Sequence, residues 1–378
     1  MGRSLVRVMT ALFSFLAVFL AVEGLLWLAG VVPPILHFGS PRIYQPDTEL
    51  IYAMRPGGAI DTNSLGLRGP EIFEATGKVR LIALGDSYTY GHQLDYESSY
   101  PALLEERLNR RGPPTENGFE VINAGVPGYN VDQAYALFTR RLAGLNPDWL
   151  VLIIEPKDLA GANVLFDLEG EELVPVSGWK NWIYLQLWLR THTPDWIKRT
   201  HLYRFLVGRL AGSDPFGTIG FRDLDEQIQW QIDKIERLVG DLVARGERDG
   251  YEVLVVNYPD RPALLHGGDY RRSTYFGLPV HILGPRGNLH MERLRDVIGA
   301  SGAHFIDGMD IFVERDHEAG ELDALFLWDD PHMSRAGNEE LAEIVAEEIA
   351  RISVGAALHQ PGERSEPLRE GENGPEPR

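Results

Sequence analysis

The chain has 378 residues, a formal net charge of -19 and no cysteine. A protein that neutralises nucleic-acid phosphates needs a basic face, so this balance argues against nucleic acid as a partner. Without cysteine there is no disulfide, no thiolate nucleophile and no cysteine-ligated metal, and any catalysis falls to oxygen and nitrogen groups.

Arg3 and Arg7 precede an apolar run from Val8 to Val22, interrupted by Thr10 and Ser14, which resumes from Gly24 to Val32 past a single Glu23. A spanning helix needs about 20 mostly apolar residues, more than the roughly 7–15 of a cleaved signal's apolar core. Residues 1–32 are therefore expected to be a cytoplasmic stub and a retained single-pass membrane anchor. The positive-inside rule then puts the globular part on the extracytoplasmic side. Residues 33–75 mix Pro, Gly and short polar pieces and read as an extended linker leading into that part.

Short apolar runs at Val79–Leu84, Val121–Asn123, Leu150–Ile154, Val253–Val256 and Phe305–Ile306 predict buried strands. Helical spacing lies between them, as in Leu103, Leu104 and Leu108, or Ile228, Ile232, Ile235, Val239 and Leu242. This alternation predicts an α/β domain over residues 76–354, with a parallel sheet covered on both faces. Its last helix is expected over Glu339–Ile352. Between about 160 and 220 the alternation is interrupted by Trp179, Trp182, Trp188 and Trp196, with Tyr184, Tyr203 and Phe205 among them. That insertion reads as a helical cap, with a sugar-stacking platform or a bilayer-facing surface as the other readings. Residues 355–378 are rich in Glu, Pro, Gly and Arg without periodicity and are expected to be disordered.

Gly85-Asp86-Ser87 follows the first of these strands directly, where an open parallel sheet places its ligand crevice. A serine hydroxyl is a weak nucleophile and needs a base within hydrogen-bond reach. His332 is the candidate, in Trp328-Asp329-Asp330-Pro331-His332 just before the last helix. Asp329, three residues back, can fold round to accept from one imidazole nitrogen and leave the other for the serine proton. His201, His266, His281 and His290 have no comparable arrangement and are read as structural or exposed.

Gly85-Asp86-Ser87 after the first strand, Asn123-Ala124-Gly125 after the second and Asp329-x-x-His332 before the last helix resemble, in order, three sequence blocks of the SGNH hydrolases, the GDSL-like esterases. The resemblance spans roughly residues 60–352, and Asn63-Ser64-Leu65-Gly66-Leu67-Arg68-Gly69 is similar to the lead-in of membrane-anchored members. It implies a flavodoxin-like three-layer α/β/α fold with a central, mostly parallel five-stranded sheet. It also implies serine ester chemistry without metal or other cofactor. The oxyanion hole would be built from the Ser87 and Gly125 amides and an asparagine side chain. The block that supplies this asparagine, usually Gly-x-Asn-Asp, reads Glu155-Pro156-Lys157-Asp158 here. Lys157 therefore stands at the asparagine position, either as a replacement donor or held in an ion pair by Glu155 or Asp158. The expected reaction is hydrolysis of an acyl ester, on a small molecule, an O-acylated saccharide or an envelope polymer. Acyl transfer to a sugar hydroxyl by the same residues, and carbohydrate binding with impaired catalysis, are the other readings.

Overall fold

The computed structural model describes residues 2–28, 43–57, 62–73, 77–112, 117–160, 166–170, 172–175, 192–194, 197, 200–203, 224–273, 282–314, 322, 324–327 and 330–359. It opens on one long helix, α1 (Gly2–Leu28), whose Val6–Leu26 stretch is long and apolar enough to cross a membrane. The next pieces correct the linker expectation. β1 (Tyr44–Asp47) and β2 (Ile51–Met54) pair as an antiparallel hairpin, and Leu50, Ile51, Tyr52 and Met54 are buried in the domain core. The hairpin is fastened by the Tyr129 hydroxyl, which donates to the Tyr52 carbonyl at 2.6 Å, and by Gln133 Nε2, which donates to the Leu50 carbonyl at 3.1 Å. Four-residue strands, one of them containing Pro46, leave too short a pattern to stand out in sequence.

The main elements follow in chain order: β3 (Val79–Gly85), α2 (Ser87–Tyr90), α3 (Tyr100–Arg111), β4 (Phe119–Gly125), α4 (Val131–Leu137), β5 (Trp149–Ile154) and α5 (Pro156–Leu159). A second hairpin of β6 (Phe166–Glu169) and β7 (Glu172–Pro175) begins the insertion, and the four tryptophans that mark it lie outside the described residues. The alternation resumes with α6 (Leu224–Asp249), β8 (Glu252–Asn257), α7 (Arg261–Leu264), α8 (Gly287–Ala300), β9 (His304–Asp307), α9 (Gly308–Glu314) and α10 (Arg335–His359). α10 runs past the expected end at Ile352 into the stretch read as a disordered tail, of which residues 360–378 lie outside the described set.

Five strands form one wholly parallel sheet in the order β4-β3-β5-β8-β9, the flavodoxin-like arrangement. Leu81, Ile82 and Leu84 of β3 and Leu150, Val151, Leu152 and Ile154 of β5 are all fully buried. Their runs are continuous rather than alternating because helices cover both faces: α3 packs with α10, and α4 and α8 pack with α6. Each such side chain contributes about 1.5–3 kcal/mol by leaving water. The chain leaves β3 for β4 at one edge and then crosses back to β5 on the other side of β3. The switch point between β3 and β5 opens a crevice at the carboxyl ends of the strands. The turns carrying Ser87 and Lys157 both lie there.

Candidate active site

Ser87 is the first residue of α2 and is seated by the residues before and after it. Asp86 caps the helix, its Oδ1 accepting the Tyr88 N–H at 2.9 Å. Gly91 ends it in the left-handed conformation at φ +80°, where a Cβ would also lie 2.6 Å from the Ser99 Cβ. Arg68, from the lead-in segment, is buried and locks this end: Nη1 donates to the carbonyls of Tyr90 (2.6 Å) and Gly91 (2.7 Å), and its guanidinium lies over the Tyr90 ring. A cation at a helix C-terminus suits both the orphan carbonyls and the dipole.

His332 arrives from the loop before α10. That loop is closed by the Phe326–Met333 bridge, by the Leu327 N–H donating to the His332 carbonyl at 2.8 Å, and by the Met333 N–H donating to the Tyr258 hydroxyl at 3.1 Å. Asn338 ties the loop to α3, accepting the Tyr100 N–H at 3.0 Å and donating to the Ser334 carbonyl at 2.9 Å. The imidazole is buried against the rings of Tyr88 and His92, at centroid distances of 4.4 and 4.9 Å. Its Nε2 is 2.8 Å from Ser87 Oγ, and its Nδ1 is hydrogen-bonded to Asp330 Oδ1.

A carboxylate only accepts, so Nδ1 carries the proton toward Asp330 and Nε2 offers its lone pair to the Ser87 O–H. Asp329, expected in the orienting place, lies outside the described residues, and the carboxylate at Nδ1 is its neighbour Asp330. The physical reason is local: Asp330 Oδ1 also accepts the His332 backbone N–H at 2.8 Å, closing a tight turn that spacing alone does not select. Burial raises the Asp330 pKa, but the hydrogen bonds from the His332 side chain and backbone outweigh it and hold the carboxyl down to about 2. Its other oxygen accepts from Gln93 Nε2 at 2.9 Å. Gln93 itself sits at φ +61°, a conformation that a non-glycine residue adopts only under local constraint.

The expected oxyanion residues are placed differently. The Gly125 N–H donates to Asn123 Oδ1 at 3.1 Å. What its missing side chain provides is close packing, since a Cβ there would lie 2.3 Å from the Tyr90 nitrogen and 2.9 Å from the Asp86 carbonyl oxygen. Lys157 is mostly buried and reaches back across the switch point, with Nζ paired to Asp86 and, at 2.8 Å, to Glu155 Oε1. Asp158, the other expected partner, instead accepts the Glu155 N–H at 3.0 Å and completes a capping box at the start of α5. Asp86 thereby joins Lys157 to the nucleophile turn, for Ser87 Oγ lies 3.3 Å from its Oδ2.

Burial dominates the ionisation of this cluster. It pushes Glu155 well above the usual carboxylate range, with the Asp158 and Asp260 charges adding to it. It raises Asp158 to about 6 against the opposing pull of Lys157, and lowers Lys157 to about 8. The lysine is thus held among acids by geometry, paired to Asp86 beside a Glu155 whose charged form burial disfavours.

Residues 83–168, which carry the Ser87 turn and the turns after β4 and β5, match the GDSL-like Lipase/Acylhydrolase family. No curated protein matches the chain. Similar solved structures include an α/β hydrolase enzyme from the metagenome of Lake Arreo, Spain (17% identity, 71% of this chain and 95% of that chain, TM-score 0.40). Others are an acetylxylan esterase from Geobacillus stearothermophilus (17%, 71% and 93%, 0.39) and a lipase/acylhydrolase from Enterococcus faecalis (13%, 72% and 96%, 0.42). The family match falls on the segment that carries Ser87 in a five-stranded parallel sheet, and over residues 83–168 the chain is similar to the GDSL-like lipase/acylhydrolases, hydrolases that act on ester bonds.

Proposed function

We propose that the chain is a serine esterase held at a membrane by α1, with its globular domain on the extracytoplasmic side. The observation that carries the catalytic part is the continuous hydrogen-bonded line from Asp330 through His332 to Ser87 Oγ. Ser87 Oγ attacks the acyl carbonyl carbon while His332 Nε2 takes the hydroxyl proton, and Asp330 holds the imidazolium that forms. Collapse of the tetrahedral intermediate breaks the ester C–O bond, and His332 returns the proton to the departing alcohol. Water then repeats the cycle on the acyl-serine. The Ser87 N–H, in the first turn of α2 where no helical acceptor exists, is the oxyanion donor this reading keeps from the sequence expectation. The pairing of Lys157 with Asp86 and Glu155 gives it a positioning role: it fixes the capping carboxylate on which the Ser87 turn is built.

The side of the membrane follows from Arg3 and Arg7 ahead of the span. That placement in turn supports an O-acylated saccharide or envelope polymer as the ester. The test is p-nitrophenyl acetate hydrolysis by the full chain in detergent micelles. Replacement of Ser87 by alanine is expected to lower kcat at least ~1000-fold with the fold intact. A folded wild-type protein without Ser87-dependent turnover, with or without an added acceptor sugar, would overturn the catalytic reading in favour of carbohydrate binding.

A further inference from the structure

Helix α1 is exposed along nearly its whole apolar length, Val8, Phe13, Phe15 and Val18 among others, and at its far end Leu25 and Leu28 stay exposed while one face is covered. There Val22, Glu23, Gly24 and Leu26 are half-buried. Glu23 is met at that end by a segment of the insertion. Its Oε1 accepts the His201 N–H at 2.5 Å and lies 3.0 Å from His201 Nδ1, and its Oε2 accepts the Leu202 N–H at 2.8 Å. A carboxylate inside an apolar span is costly unless its lone pairs are satisfied, and here both oxygens are. Glu23 belongs to the Val6–Leu26 stretch and precedes its end by one turn or less, roughly 5 Å along the axis. Hydrogen bonds of this length leave no slack, so the depth of Glu23 in a bilayer is also the depth of His201 and Leu202.

We propose that the His201–Tyr203 segment sits in the interfacial layer of the bilayer, docked on the anchor helix through Glu23. That segment then has a lipid surface as its partner. The inference rests on the reading of α1 as a retained span. It explains why an acidic residue is placed in an otherwise uncharged apolar run: Glu23 supplies the acceptors for two backbone N–H groups and an imidazole that would otherwise meet the edge of the hydrocarbon unpaired. Leu202 suits the same depth, where an apolar body can face the acyl chains. The catalytic domain is thereby held against the membrane surface rather than at a distance from it.

The absence of native cysteine makes the test direct, because Leu202→Cys and Val18→Cys each create a unique labelling site. The full chain is reconstituted in phosphatidylcholine vesicles with an environment-sensitive fluorophore at either position. Quenching by nitroxide-labelled phosphatidylcholine is compared with quenching by iodide in the water phase. The expected result is lipid quenching at both sites, from deep nitroxides at position 18 and shallow ones at position 202. Adding Glu23→Leu is expected to abolish the shallow quenching at 202 and leave position 18 unchanged. Lipid quenching at 18 with only iodide quenching at 202 overturns the docking and leaves the anchor standing. Iodide quenching at both sites overturns the anchor and the docking together. Loss of quenching at 18 in the Glu23→Leu variant would show that Glu23 serves insertion of the helix and not docking.

Discussion

The turn after β3 and the turn after β5 begin alike and end in opposite chemistry. Each leaves a buried parallel strand, sets an acidic residue at the N-cap and opens a four-residue helix, Asp86 before α2 in one and Glu155 before α5 in the other. In the first, the residue after the cap is Ser87, whose hydroxyl faces a histidine. In the second, the position matching the family asparagine is Lys157, whose ammonium turns back to Asp86 and Glu155. A strand-turn-helix frame at a switch point therefore supplies position only, and the side chain it carries decides whether that position offers a hydroxyl beside a histidine or an ammonium paired with acids.

The largest effect should come from breaking the first turn's line to its acid. Asp330→Asn leaves the shape of the loop but removes the charge that fixes the His332 tautomer, and kcat is expected to fall about 10³–10⁴-fold. Asp329→Asn serves as the control and is expected to leave kcat nearly unchanged. Equal losses in the two variants would show that the working histidine exchanges partners. The second turn is broken by Lys157→Met, which strands buried Asp86 without its cation. Removing one partner of a buried pair costs about 3–5 kcal/mol, measured as a lower urea midpoint at unchanged m-value. The double variant Lys157→Met/Asp86→Asn should recover much of that loss, because no uncompensated charge is then left at the cap.

The two turns also differ in how far their roles could be read beforehand. The sheet was legible because strands covered on both faces must be continuous apolar runs, and Val79–Leu84 or Leu150–Ile154 admit little else at that length. Ser87 was legible because it directly follows such a strand. The choice between Asp329 and Asp330 was not, since both precede His332 at short sequence spacing and the turn closed by the His332 N–H on Asp330 is not encoded in that spacing. Gln93 was invisible for a related reason: its reach to Asp330 depends on the left-handed backbone at Gly91 and at Gln93 itself, which no spacing rule encodes. Lys157 was recognised as a departure from the family pattern, but its direction depends on Asp86, a residue 71 positions earlier brought beside it by the pairing of β3 with β5. Contacts made by topology in this way leave no local periodicity.

A third turn extends the comparison and carries the smallest effect. β8 ends in Asn257, and after Tyr258 and Pro259 the N-cap of α7 is again acidic: Asp260 Oδ2 accepts the Ala263 N–H at 3.0 Å. Among the described residues no ion pair meets this cap as Lys157 meets Asp86, and burial raises the Asp260 pKa to about 6 against the Ala263 hydrogen bond. The native state therefore binds a proton between about pH 4 and 6 that the unfolded chain, with an aspartate near 3.9, has already released. The unfolded state binds fewer protons in that window, so the Asp260 contribution makes stability fall as pH rises through it. A shift of two pKa units sets the ceiling near 3 kcal/mol, fully lost above about pH 6. Asp260→Asn keeps the cap acceptor and removes the titration. It is expected to flatten the decline of the urea midpoint between pH 4 and 6 and to raise the midpoint at pH 7, with the Ser87-dependent esterase rate retained. An unchanged pH slope in that variant would place the buried proton elsewhere, with Asp158 at the second turn, also raised to about 6, as the group to replace next.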